Sequence, residues 1–99
     1  MSDPYQVLLS PAAARVYRKL PSSVQARVRR SLEGLAEAAA TPGRIGGKRV
    51  RTIQGTADSF HRLRVGDYRI MYDLEVEDRV LHVLGIVHRS DLERWLRSR

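Results

Sequence analysis

The sequence predicts a small α+β fold in which a helical hairpin covers one face of a sheet. A short apolar run at 5–9 precedes two segments with helical periodicity, and three alternating apolar segments follow at 60–65, 68–76 and 79–87. A last segment, 90–96, has helical character. Two apolar helix stripes and one apolar sheet face are complementary layers, so we expect a single domain over residues 1–99.

The two predicted helices are marked by their ends and by apolar stripes. Ser10 is a typical N-cap and Pro11 suits the first helical position, whereas Pro21 ends this helix. Its expected stripe is Ala13, Val16, Tyr17 and Leu20. Ser22 or Ser23 is expected to cap the second helix, which Thr41-Pro42-Gly43 stops. The second stripe is Val24, Val28, Leu32, Leu35 and Ala39.

The predicted sheet is antiparallel and contains the N-terminal strand and a meander of three strands. A glycine-rich basic connection at 43–59 precedes the meander and shows little periodicity, so we predict no strand there. After the last strand, Ser90 and Glu93 have the spacing of a capping box, which predicts a short C-terminal helix.

Composition and charge exclude several classes of protein. The apolar content of 42% is that of a folded chain, and the apolar runs are too short to span a bilayer. The chain has no cysteine, so disulfide frameworks and thiolate metal sites are excluded. No secretion signal begins the sequence, and we expect a cytoplasmic protein without a cofactor. The net charge of +7 predicts a partner rich in phosphate or carboxylate.

The stretch "FHRLRVGDYRIMY" concentrates arginines on one predicted hairpin. A two-residue turn at Gly66-Asp67 places Arg64 opposite Arg69, with Arg62 on the same face. Opposed like charges destabilise a sheet, and the arrangement is tolerated where the face must bind an anion such as phosphate. Arginines that merely solvate an exposed face are the alternative. Arg49 and Arg51 of the preceding connection lie close by in sequence and, with Arg64, are further candidates for binding this anion.

The register of the last strand, "RVLHVLGIVHR", is left open by the sequence. A two-residue turn at Glu77-Asp78 puts His88 beside the arginines, whereas a bulge or a three-residue turn puts Arg89 there together with Gly85. Either register ends the strand with a basic or titratable side chain near the cluster.

The order of elements, the stretch "LRVGDYRIMY", the strand "VLHVLGIVHR" and the brief terminal helix resemble the RelE/ParE toxin superfamily, and its RelE-type branch in particular. RelE-type members are ribosome-dependent endonucleases that cut messenger RNA, whereas ParE-type members poison DNA gyrase. Each is neutralised by a co-expressed antitoxin. The resemblance therefore implies an acidic, RelB-like antitoxin, a toxin–antitoxin hetero-oligomer, and the ribosome and mRNA as further partners.

The RelE-type resemblance also implies catalytic roles for arginines of this chain. Arg62 stands in place of a lysine, Arg69 matches an arginine that contacts the scissile phosphate, and Arg89 matches one implicated in protonating the leaving oxygen. Two positions depart from the branch. Phe60 replaces another lysine, and Trp95 lies near the place of a tyrosine that stacks on a base, which a tryptophan can also do. With messenger RNA as the implied substrate, the predicted RNA-binding residues are Trp95, Arg49, Arg51 and Arg64.

The expected reaction is attack of the 2′-hydroxyl on its own phosphate without a metal ion. Arginines stabilise the developing charge, and His88 is a candidate proton carrier because histidine is the residue type that exchanges protons near neutral pH. The histidines lack metal-ligand spacing, and no Cys-His pair exists. We therefore predict a ribosome-dependent mRNA endonuclease with Arg62, Arg69, His88 and Arg89 as catalytic residues. The alternative is a ParE-type gyrase inhibitor without catalytic activity.

Overall fold

The computed structural model describes residues 3–41, 50–53 and 60–98. Its described strands form one five-stranded sheet in the order β1-β5-β4-β3-β2. Three α-helices and one 3-10 turn complete this part of the chain, and the α+β class is confirmed. In chain order the elements are β1 (Gln6–Leu9), α1 (Pro11–Lys19), α2 (Ser22–Ala39), β2 (Val50–Ile53), β3 (Phe60–Val65), β4 (Tyr68–Glu75), β5 (Val80–His88), the 3-10 turn (Arg89–Asp91) and α3 (Leu92–Arg97).

The sheet differs from the prediction in two respects. It is mixed rather than antiparallel, because β1 pairs in parallel with β5, from Gln6 opposite Val80 to Leu9 opposite Val83. The predicted connection also contains β2, which pairs antiparallel with β3. The four residues of β2, VRTI, do not alternate between apolar and polar, so the period-2 pattern of a half-buried strand is missing there. This strand extends the sheet on the side of the predicted arginine cluster.

The start of α1 was predicted correctly, whereas the start of α2 was not. The Ser10 hydroxyl accepts a hydrogen bond from the Ala13 backbone N–H at 3.1 Å, as an N-cap should. Pro21 is the N-cap of α2 and makes no side-chain bond, so neither Ser22 nor Ser23 caps this helix. A proline there fixes an extended backbone in place of a side-chain cap.

The core lies between α1, α2 and one face of the sheet, as predicted. Buried helix residues, among them Ala13, Leu20, Val28, Leu32 and Leu35, pack on buried strand residues, among them Leu63, Val65, Ile70, Tyr72 and Leu81. Val16 is the exception in the first stripe, because 36% of it is exposed. The α1 helix contacts the sheet mainly through β5, and its stripe is therefore narrower than the periodicity indicates.

Helix α3 lies at the end of β5 and packs on the opposite face of the sheet, which we call the open face. Its predicted capping box is wrong. Ser90 belongs to the 3-10 turn, and α3 begins at Leu92 after Asp91, whose side chain makes no cap bond. The His88 ring accepts the Ser90 backbone N–H instead, at 3.2 Å. No helix in the described ranges is long and apolar enough to cross a membrane.

Candidate functional site

The β3–β4 hairpin has the predicted register and collects arginines on the open face. Gly66 has φ +58°, which a glycine adopts without strain in a two-residue turn. Arg64 lies opposite Arg69, and Arg62 lies opposite the buried Met71. We call the end of the open face formed by Arg62, Arg64 and Arg69 the arginine face.

Strand β2 brings one more arginine position next to the hairpin in the backbone register. Its register places Arg51 opposite Arg62, so that two arginine–arginine pairs, Arg51 with Arg62 and Arg64 with Arg69, lie on adjacent strands. Arg49 lies outside the described residues. The four described arginines of the predicted cluster are therefore neighbours in the backbone register of the sheet: Arg51, Arg62, Arg64 and Arg69.

A bulge in β5 decides between the two predicted registers of the last strand. Tyr72 lies opposite Val83, but Met71 lies opposite Gly85, so Leu84 is the extra residue. Past this bulge Gly85 and Val87 point to the open face, and His88 lies opposite Tyr68 on the helix side. The alternative with His88 beside the arginines is wrong, and Arg89 follows the strand at the arginine end.

The bulge is stabilised by the N-cap of α1. The Ser10 hydroxyl donates to the Leu84 carbonyl at 3.0 Å, and the Ser10 backbone N–H donates to the Val83 carbonyl at 2.9 Å. A bulged residue leaves the strand ladder, so this bond satisfies a carbonyl that the ladder leaves out. Ser10 thereby helps to set the register that brings Arg89 to the site. This role could not be predicted from the sequence, because Ser10 lies 74 residues before Leu84.

The Arg69 guanidinium folds back over the hairpin turn. Its Nη1 donates to the carbonyls of Gly66 at 3.0 Å and Tyr68 at 2.9 Å. Partial burial lowers the pKa of Arg69, and the positive charges of Arg64, Arg62 and Arg89 lower it further, while Asp67 acts in the opposite direction. Arginine stays protonated under all ordinary conditions, so the lowered pKa means that the Arg69 cation is disfavoured, first by partial loss of solvent and second by the positive charges around it. A bound anion would relieve the repulsion between these charges.

Arg89 is attached to the same hairpin turn through Asp67. The Arg89 backbone N–H donates to the Asp67 carbonyl at 2.7 Å. Its Nε lies 3.7 Å from the Asp67 carboxylate, and both side chains are about two-thirds exposed. The sequence marks Asp67 only as a turn residue, because a contact between positions 67 and 89 depends on the β4–β5 register.

Trp95 packs on the middle of the open face. A Cβ at Gly85 would lie 2.5 Å from Trp95 Nε1, so this position must be glycine for the indole to lie there. The Phe60 ring meets the indole edge to face, with centroids 5.6 Å apart. Phe60 and Met71 are buried, which gives the departure at Phe60 a structural reason. Trp95 is only partly buried, and stacking of an RNA base on its exposed portion remains a prediction.

The histidines do not join the arginine face. His61 and His88 lie on the helix side, where their rings contact Tyr72 and Tyr68. His82 lies on the open face opposite Asp73, but the Met71–Gly85 row separates that pair from Arg69. In the described part of the chain, no group of three His, Asp or Glu side chains could hold a metal ion.

Comparison with known proteins identifies the family. The family model described as the ParE toxin of the type II toxin–antitoxin system matches residues 7–93. The chain belongs to this family. It is therefore a toxin of a type II toxin–antitoxin system, within the RelE/ParE superfamily. A search of curated proteins found no match.

Solved structures with the same fold include RelE toxins in complex with RelB antitoxins. The RelBE2 toxin–antitoxin complex of Mycobacterium tuberculosis matches with 25% identity and a TM-score of 0.69, over 88% of this chain and 100% of that chain. The RelE–RelB complex of Pyrococcus horikoshii matches with 24% identity and a TM-score of 0.68, over 88% and 97%. The intact RelBE complex of E. coli matches with 22% identity and a TM-score of 0.54, over 85% and 95%.

Proposed function

We propose that this toxin is a ribosome-dependent endonuclease that cuts messenger RNA by attack of a 2′-hydroxyl on the adjacent phosphate. The observation that carries the proposal is the register of the hairpin, which places Arg64 directly opposite Arg69 with Arg62 on the same face. Burial and these neighbouring charges lower the pKa of Arg69. A phosphate passing from one negative charge to the two of a phosphorane fits this site better in the transition state than in the ground state. The 2′-hydroxyl restricts the reaction to RNA.

The arginines divide the work by position. We assign Arg62, Arg64 and Arg69 to the scissile phosphate and its neighbours, and Arg51, which lies opposite Arg62 in the register of the next strand, to the RNA backbone. We assign Arg89, which follows the end of β5, to the leaving oxygen. Among the described residues no histidine lies on the arginine face, so His88 is not part of this proposal. Substrate positioning by the ribosome then supplies much of the rate, as an oriented reaction requires.

The proposed neutralising partner is an acidic, RelB-like antitoxin. Two similar toxins were solved as RelE–RelB and RelBE2 complexes, and the net charge of +7 favours an acidic partner. Co-expression with the adjacent open reading frame should suppress toxicity and yield a complex. A toxin that no neighbouring gene product suppresses would contradict this part of the proposal.

A second candidate function is inhibition of DNA gyrase. Two observations favour it: the matching family model is that of ParE toxins, and Phe60, at a position of a basic residue in RelE-type toxins, is buried beneath Trp95. Inducing the protein and following both translation and plasmid supercoiling separates the two functions. The endonuclease proposal predicts that translation fails first. It also predicts that Arg69→Ala abolishes this effect, while Arg29→Ala, which removes an exposed arginine of α2 paired with Glu33, does not.

A further inference from the structure

The Gly66-Asp67 turn contacts two arginines through different atoms: Arg69 of the arginine face and the neighbouring Arg89. Arg69 donates to the Gly66 and Tyr68 carbonyls, and Arg89 contacts Asp67 by its backbone and its side chain. The hydrogen bond from the Arg89 backbone N–H to the Asp67 carbonyl fixes the position of the Arg89 backbone beside the turn. The carboxylate, 3.7 Å from Arg89 Nε, draws the guanidinium toward the turn. Asp67 is the acidic group whose charge counters the neighbouring arginines at Arg69.

We propose that Asp67 is a positioning residue that holds the Nε side of the Arg89 guanidinium beside the hairpin turn while its two Nη groups reach the RNA phosphate. This inference rests on the proposed function. The Asp67 carboxylate lies 3.7 Å from Nε, and the planar fork of an arginine can donate to a phosphate from its other edge at the same time. The backbone bond from Arg89 to the Asp67 carbonyl limits how far the guanidinium can move.

The proposal predicts opposite effects of one substitution on binding and on cleavage. Asp67→Asn keeps the shape and the backbone bond of the turn, and asparagine suits turns as well as aspartate does. Loss of the carboxylate raises the formal net charge from +7 to +8, since eleven acidic residues become ten against eighteen basic ones. RNA binding should therefore become tighter. Cleavage should become slower, because Arg89 loses its orientation.

The experiment compares Asp67→Asn with wild type and with Glu33→Gln. Glu33 is an exposed carboxylate of α2 that pairs with Arg29, so its substitution makes the same change of charge away from the arginine face. A short single-stranded RNA measures affinity, and messenger RNA on ribosomes measures kcat and KM. Relaxation of the Arg89 Nε–H group in ¹⁵N NMR measures its order without any cleavage.

We expect kcat of Asp67→Asn to fall roughly tenfold to a hundredfold with KM unchanged or lower, as a misplaced catalytic group does. RNA affinity should not fall, and the Arg89 Nε–H group should become mobile, while Glu33→Gln behaves as wild type in cleavage. A raised KM with unchanged kcat, or an Arg89 group equally ordered in both proteins, would overturn the inference. If the wild type does not cleave RNA at all, the proposed function fails, and the NMR result alone decides whether Asp67 positions Arg89.

Discussion

The repulsion between Arg64 and Arg69 can be measured directly, since these residues lie opposite each other on β3 and β4. We propose a double-mutant cycle with Arg64→Ala, Arg69→Ala and the double variant. Such a cycle isolates the interaction of two side chains from their other contacts. The second substitution should therefore stabilise the protein less, or destabilise it more, than the same substitution made in the wild type.

The expected coupling is unfavourable by about 0.2 to 1 kcal/mol, the range for directly opposed cross-strand pairs. Arg69→Ala also removes the hydrogen bonds to the Gly66 and Tyr68 carbonyls, one exposed and one partly buried, which water can largely replace. These effects oppose each other, so we expect the free energy of unfolding of Arg69→Ala to stay within about 1 kcal/mol of wild type. For a domain of this size that is a Tm shift within about 4 to 8 °C.

Urea unfolding at low and high salt tests this reasoning. The Arg64–Arg69 coupling should shrink at high salt, because the Debye length falls from about 10 Å at 0.1 M to about 3 Å at 1 M. A matched cycle on Arg29 and Glu33, an i,i+4 ion pair, should give a favourable coupling of about 0.2 to 0.5 kcal/mol. A zero or favourable Arg64–Arg69 coupling would refute the claim that the arginine face needs an anion.

Three further substitutions test the surroundings of the site. Ser10→Ala should lower stability by about 1 to 2 kcal/mol in urea unfolding, because it removes both the N-cap and the bond to the bulge carbonyl; unchanged stability would contradict the role of Ser10. Gly85→Ala should displace the indole and shift the emission of the single tryptophan to the red, and an unshifted spectrum would contradict the packing of α3. Burial raises the pKa of Tyr72 to about 12, and its hydroxyl has no partner among the described residues. Because the folded-state pKa exceeds the ordinary value of 10, the free energy of unfolding of wild type should fall as pH rises from 10 to 12. This part of the pH dependence should be missing in Tyr72→Phe, which has no phenol to ionise.

Local patterns predicted much of the fold. Period-2 alternation and the Gly-Asp turn predicted the Arg64–Arg69 pairing and the buried face with Leu63 and Ile70, because two residues suffice for a hairpin turn and leave no freedom of register. Ser10 and Pro11 likewise predicted the start of α1.

The rest of the site depends on contacts between distant parts of the chain. The bulge at Leu84 is stabilised by Ser10 across the sheet, and it reverses the faces of His88 and Arg89. No local pattern carries that information. The parallel pairing of β1 with β5 and the contact of Trp95 with Gly85 are long-range choices of the same kind.

The chemistry of the RNA ends tests the central claim most directly. Purified toxin, ribosomes and a defined messenger RNA should yield a 2′,3′-cyclic phosphate or 3′-phosphate on one fragment and a free 5′-hydroxyl on the other. These ends follow from attack by the 2′-hydroxyl, with Arg69→Ala giving no product and Arg29→Ala giving the same ends as wild type. A fragment with a 5′-phosphate would contradict the mechanism, and intact RNA together with inhibited gyrase would contradict the proposed function.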